Sequence, residues 1–221
     1  MNRELPVGPK TRILDIGCGD GRYLLERRTL GCECYGNDIC EAALTRLKKA
    51  APETDVRCGN LWEVDYTEKS FDVINLSNVM EHVKEINQLL AEARRIVKDD
   101  GLLRIQVPNA ASLTFAIFRK HWMPLEVPRH VYVFSLKNLK RLFESAGFEV
   151  ISSRTVEGSF TVLASVFFVL STVVNKKIEL MRYERIWNSE ILKLIIFPYA
   201  LIVNLLRLGD MAEFILKKSK A

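Results

Sequence analysis

The sequence predicts an α/β chain built on a doubly wound sheet. Three observations predict it. Apolar strand-like runs alternate with stretches of helical periodicity from Arg12 to Val156. The first run ends in three closely spaced glycines, Gly17, Gly19 and Gly21, where a strand turns sharply into a helix. The fourth run, Phe71–Leu76, is nearly all apolar, as parallel strands covered on both faces are.

The elements follow in order. Arg12–Ile16 reads as a buried strand and Arg22–Leu30 as a helix. Glu33–Asn37 is a second strand, Glu41–Lys49 a helix, and Asp55–Cys58 a third strand. After Phe71–Leu76, the residues Ile86, Leu89, Leu90, Ala93, Ile96 and Val97 recur at helical spacing. Asp99-Asp100-Gly101 stops that helix, and Leu102–Val107 is a fifth strand. Leu136–Ala146 is an amphipathic helix, with Ser135 as its N-cap and Gly147 at its end. Phe148–Val156 is a sixth strand. Beyond Gly158 the pattern changes. Phe160–Val174 is uncharged and mostly Val, Leu, Phe and Ala, and Leu194–Leu206 is again uncharged and very apolar. A charged stretch from Lys176 to Lys193 separates them, and Asp210–Lys217 reads as a last strand.

At 221 residues the chain suits one sizeable domain, or one domain with an insertion. Its 32 basic and 27 acidic residues leave a net charge of +5. That mild bias, without a basic stripe, argues against a nucleic-acid partner. The five cysteines, Cys18, Cys32, Cys34, Cys40 and Cys58, lack paired C-x-x-C spacing. They read as buried reduced thiols around a sheet, which points to the cytosol. The residues from Met1 to Pro6 hold no apolar signal core, so no export is expected.

The first strand–turn–helix carries the chemistry. Glycines let backbone approach a ligand closely and adopt positive φ. The spacing here is G-x-G-x-G, with Asp15 two residues ahead of the first glycine. The dinucleotide fingerprint is G-x-G-x-x-G, but position 22 is Arg. Asp20 opens the next helix and disfavours a pyrophosphate at its N-terminus. A cofactor bearing a sulfonium and an amino group suits Asp15 and Asp20 better. Asp38 ends the second strand, where a carboxylate accepts ribose hydroxyls whichever nucleoside cofactor binds. Asn60, in Gly59-Asn60-Leu61 after the third strand, is either an adenine-edge partner or simply a turn residue.

These segments resemble the class I S-adenosylmethionine methyltransferases, especially the branch with the ubiquinone-biosynthesis O-methyltransferases and glycan-modifying enzymes. The resemblance rests on Leu14-Asp15-Ile16-Gly17-Cys18-Gly19-Asp20-Gly21, Gly36-Asn37-Asp38-Ile39, Ser70-Phe71-Asp72-Val73-Ile74 and Glu81-His82-Val83. Arg94 to Gly101, Val107-Pro108-Asn109 and Ala146-Gly147-Phe148 continue the series. It implies a Rossmann-like seven-stranded sheet with an antiparallel last strand. It places Asp15, Gly17, Cys18 and Gly19 at the methionine side of S-adenosylmethionine, Asp38 at the ribose and Ile39 against adenine. Asn60 and Leu61 match the adenine-edge pair, and Ser77 matches a cofactor-lining position. The resemblance covers about 10–156 and resumes near 209–218. It implies a methyltransferase domain over 1–157 and 209–221, with 158–208 as an apolar helical insertion.

Three histidines are candidate bases for a hydroxyl acceptor. His82 follows the fourth strand, and His130 lies in a loop before the Ser135 helix; these two are the favoured pair. For each, and for His121, the alternative is a structural histidine bonded to backbone. Some ubiquinone-pathway relatives carry Glu-x-x-Glu-His as a metal site. Here Asn78 replaces the first carboxylate, so no metal is expected.

The apolar stretches 160–174 and 194–206 admit three readings: helices packed on the domain or in a homodimer, a lipid-facing hairpin, or true membrane spans. In the lipid-facing case Lys176, Lys177, Arg182, Arg185 and Arg207 would sit at the interface. The expected acceptor is a small molecule, a glycan or a lipid-linked compound, methylated on oxygen in the cytoplasm or at the inner face of the membrane. The competing functions are a nicotinamide-dependent oxidoreductase and a non-catalytic cofactor-binding scaffold.

Overall fold

A computed structural model describes residues 5–156, 159–174 and 189–219. The strands are β1 (Arg12–Ile16), β2 (Glu33–Asp38), β3 (Asp55–Cys58), β4 (Phe71–Ser77), β5 (Val97–Pro108), β6 (Phe148–Val156) and β7 (Met211–Lys218). They form one seven-stranded sheet in the order β3-β2-β1-β4-β5-β7-β6. Neighbours from β3 to β5 are parallel. The sheet is mixed and its last strand runs antiparallel, as the resemblance implies. The helices are α1 (Arg22–Arg28), α2 (Glu41–Ala50), α3 (Ile86–Ile96), α4 (Leu113–Phe118), α5 (Leu136–Ser145), α6 (Ser159–Val173) and α7 (Glu190–Leu205).

The chain divides into two compact units. One comprises Met1–Gln106, Lys140–Ser153 and Phe214–Ala221; the other comprises Val107–Leu139 and Arg154–Glu213.

In the first unit the core forms because strand and helix periods agree about what is apolar. Ile13, Leu24, Cys32, Cys34, Leu44, Leu47 and Val73 pack as one cluster. Each buried Leu or Ile contributes about 1.5–3 kcal/mol over leaving it exposed. Helix α3 buries Ile86, Leu89, Leu90, Ala93 and Ile96, the stripe its spacing predicts. Helix α5 begins with Ser135 Oγ accepting from the Asn138 amide at 3.3 Å, and Gly147 follows its end at φ +79.

Two element boundaries in the first unit differ from expectation by more than one residue. Helix α1 stops at Arg28 rather than Leu30. Strand β5 starts at Val97, not Leu102, so Asp99-Asp100-Gly101 lies in a strand. Phe71 pairs with Val97 and Val73 with Leu102, so β5 absorbs extra residues against β4. At Gly101 a Cβ would come within 2.9 Å of the Phe71 carbonyl oxygen, so this close approach needs glycine.

In the second unit a buried carboxylate ties two distant segments together. The Trp122 indole donates to Asp210 Oδ1 at 2.7 Å, and the Thr114 hydroxyl donates to the same oxygen. The Asn109 amide donates to the Asp210 carbonyl at 2.6 Å, and Asn109 Nδ2 to that of Gly209 at 2.8 Å. Both apolar stretches fold as helices. In α6 Ala164 and Ser165 are buried; in α7 Val203 is. The outer face of α7 presents Leu194, Ile195, Phe197, Leu201, Ile202 and Leu205, each at least 50% exposed. Among the described residues no helix is long and apolar enough to cross a membrane. Gly158, Lys176, Lys177, Arg182 and Arg185 lie outside the described residues.

Candidate active site

The turn after β1 is built on left-handed backbone. Gly17, Gly19 and Gly21 have φ of +70, +53 and +81. The amides of Gly17 and Cys18 both donate to the Asn37 carbonyl, at 2.7 and 3.1 Å, which seats the turn on the end of β2. Asp38 fixes it there. Its Oδ2 accepts from the Gly19 amide at 2.8 Å and its Oδ1 from the Cys40 amide at 2.8 Å. A carboxylate has about four acceptor sites, so two amides leave capacity for hydroxyls. A Cβ on Gly19 would meet nothing within 4 Å, so open space lies over the turn. On Gly17 it would come within 2.5 Å of Val79.

Asp15 lies just before the turn and is buried. Asn75 Nδ2 donates to its Oδ1 at 2.6 Å. Burial pushes the Asp15 carboxyl up to about 7; the Asn75 hydrogen bond and the Arg104 charge oppose this, and the Asp38 charge adds to it. Arg104 donates to Asn75 Oδ1 at 2.9 Å and to Gln106 Oε1 at 3.1 Å. Gln106 Oε1 also accepts from Ser77 Oγ at 3.2 Å. The structure thus brings together Asp15, Gly17, Cys18, Gly19 and Asp38. It adds Asn75, Arg104 and Gln106, which the motif reading did not single out. The signal for them was polar residues set among apolar neighbours, Asn75 between Ile74 and Leu76, and Arg104 and Gln106 alternating with Leu103, Ile105 and Val107.

The remaining candidates surround the ends of β2 and β3. Ile39 is 74% exposed, an apolar surface directly after the ribose-matching acid. Leu61 is buried in a 3-10 turn, Leu61–Glu63. The Asn60 amide and Asn60 Nδ2 both donate to Glu63 Oε2 at 3.0 Å, so its side chain supports that turn. The Cys18 thiol is pushed up to about 12 by burial and by the charges of Asp15 and Asp38. It stays protonated and is not a nucleophile. Cys18, Cys32 and Cys34 are buried, but Cys40 and Cys58 are exposed, contrary to expectation. Cys58 ends β3 and Cys40 caps α2 two residues past the end of β2, where the chain has left the sheet.

His82 lies in the first compact unit, exposed, at the end of a 3-10 turn, Met80–His82. His130 lies in the second, where its Nδ1 is 2.7 Å from the Pro124 carbonyl. A carbonyl only accepts, so Nδ1 carries the proton of the neutral ring and Nε2 is its basic nitrogen. His121 sits 3.1 Å from the Thr172 hydroxyl.

The chain is similar to known proteins over most of its length. Residues 3–153 match the family described as "Methyltransferase domain". The chain belongs to that family. It is 34% identical over 130 residues to a ubiquinone biosynthesis O-methyltransferase of Maricaulis maris, covering 56% of this chain and 51% of that protein. It is 31% identical over 138 residues to a Mycolicibacterium smegmatis protein named "Probable S-adenosylmethionine-dependent methyltransferase", covering 62% of this chain and 52% of that protein. The chain therefore spans about half the length of the curated relatives it matches. A SAM-dependent methyltransferase from Archaeoglobus fulgidus superposes with a TM-score of 0.63 at 22% identity, covering 95% of this chain and 86% of that one. That likeness shows the fold. The methyltransferase cofactor is S-adenosylmethionine, and the donor set fits it: a buried acid, a glycine turn with open space, and an acid with spare acceptor sites. No finding supports the nicotinamide alternative.

Proposed function

We propose that the chain transfers a methyl group from S-adenosylmethionine to an oxygen of a small-molecule, glycan or lipid-linked acceptor. The observation that carries this reading is the Gly19–Asp38 staple beside the buried Asp15. Similarity to a ubiquinone biosynthesis O-methyltransferase supports oxygen as the acceptor atom. The continuous apolar face of α7 supports an acceptor that arrives on lipid, at the inner face of a membrane.

Cofactor chemistry supplies an already activated methyl group. The chain's own work is to position and to exclude water. Asp15 and Asp38 hold opposite ends of the binding region by charge and by acceptor capacity. His130 Nε2 takes the acceptor proton, with Nδ1 locked by Pro124; His82 is the second candidate base. A consumption assay for S-adenosylmethionine against quinols, sugars and lipid-linked glycans tests the proposal. Methyl transfer to an oxygen of one of these classes supports it. Transfer only to nitrogen, or cofactor binding without turnover on any class, overturns it.

A further inference from the structure

The acid beside the glycine turn is one end of a polar row laid across three strands. Asp15, Asn75 and Arg104 occupy directly opposed positions on β1, β4 and β5. The surrounding strand residues Leu14, Ile74, Leu76, Leu103 and Ile105 are buried and apolar. Placing two further polar side chains there costs free energy, and apolar side chains would serve the sheet better. The row is hydrogen-bonded in one sense. Arg104 is a donor only, so its guanidinium holds the oxygen of the Asn75 amide at 2.9 Å. The Asn75 NH2 must then face Asp15, where it donates at 2.6 Å. Reversing the amide would set its oxygen against a carboxylate. The second arm of Arg104 reaches Gln106, which also accepts from Ser77, another cofactor-matching residue.

We propose that Arg104 is a positioning residue for the cofactor: acting through Asn75, it fixes the Asp15 carboxylate for the cationic amino group of S-adenosylmethionine. The inference rests on the S-adenosylmethionine reading of the site. Among the described residues, the titratable groups that act on Asp15 or feel its charge include Asp38 from β2, Arg104 from β5, the Tyr23 hydroxyl from α1 and the thiols of Cys18 and Cys34. Only Arg104 brings a positive charge among these, and with Asn75 it opposes the upward pull of burial. Without it the carboxyl stays protonated to higher pH.

The test is calorimetric titration with S-adenosylhomocysteine from about pH 6 to about pH 9, each variant compared with the unmodified chain at the same pH. Arg104→Gln should bind about tenfold more weakly near pH 7 and recover to within about threefold near pH 9, where Asp15 ionises anyway. Arg104→Lys, which keeps the charge, should stay within about threefold throughout. Asn75→Leu should show the same pH-dependent deficit and serves if Arg104→Gln does not fold. An unchanged affinity near pH 7, or a deficit that is equal near pH 7 and pH 9, overturns the positioning role. Failure of the unmodified chain to bind S-adenosylhomocysteine overturns the cofactor reading itself.

Discussion

The backbone amide of Gly19 donates to Asp38 Oδ2 at 2.8 Å, which ties the glycine turn to the end of β2. Asp38→Ala removes that acceptor and the one for the Cys40 amide. Affinity for S-adenosylhomocysteine should fall at least about tenfold, near 1.4 kcal/mol. Calorimetry on the folded variant checks this, and unchanged affinity would remove Asp38 from the site.

Asp15 should make the empty chain pH-sensitive. Its folded value of about 7 lies above the usual 3.8. The folded chain therefore holds a proton that the unfolded chain gives up between those values. Stability from this group is full below the lower value and is lost as pH rises toward the upper one, by about 1.4 kcal/mol per pH unit at most. Asp15→Asn cannot ionise. It should raise the melting temperature near pH 8 more than near pH 4, while weakening cofactor binding. Equal shifts at both pH values would sink the idea.

The three glycines of the turn should not be equally replaceable. At Gly21 φ is +81, and an added Cβ would strike the buried Leu47 side chain. At Gly19 φ is +53 with open space around it. Gly21→Ala should cost about 2–4 kcal/mol in urea unfolding, and Gly19→Ala about 1–2 kcal/mol. Matching losses would contradict the packing at Leu47.

If His130 is the base, His130→Gln should lower kcat on a hydroxyl acceptor by about 10²–10⁴. Binding of S-adenosylhomocysteine should not change. His82→Gln is the control; the larger loss in kcat identifies the base.

The apolar face of α7 predicts lipid binding. The full chain should float with anionic vesicles, and Leu201→Asp with Leu205→Asp should stay at the bottom of the gradient. A chain that sediments without those changes, or as a stable dimer, would assign the face to protein instead.

Much of the fold was legible because local period and burial agree. The stripe from Ile86 to Ile96 and the glycine turn are examples. The early part of β5 was not legible, because Lys98-Asp99-Asp100-Gly101 has the composition of a turn. Only its pairing beside Phe71 makes it a strand. Helix α4 was also missed; it is six residues long and is announced only by Ser112, whose Oγ accepts from the Phe115 amide. At the site, Asp15 and Asp38 stand out by sequence spacing. Asn75 and Arg104 do not, because their partners lie 60 and 29 residues away and only strand register unites them.

Strand β7 lies between β5 and β6, yet it is the last of the seven along the chain. A growing chain must therefore carry the edges of β5 and β6 unpaired while the whole of α6 and α7 is made. Those edges and those apolar helices would be exposed together. A nascent chain of this protein should depend on a chaperone or an early lipid contact, and truncation before Met211 should yield aggregates rather than a smaller folded domain.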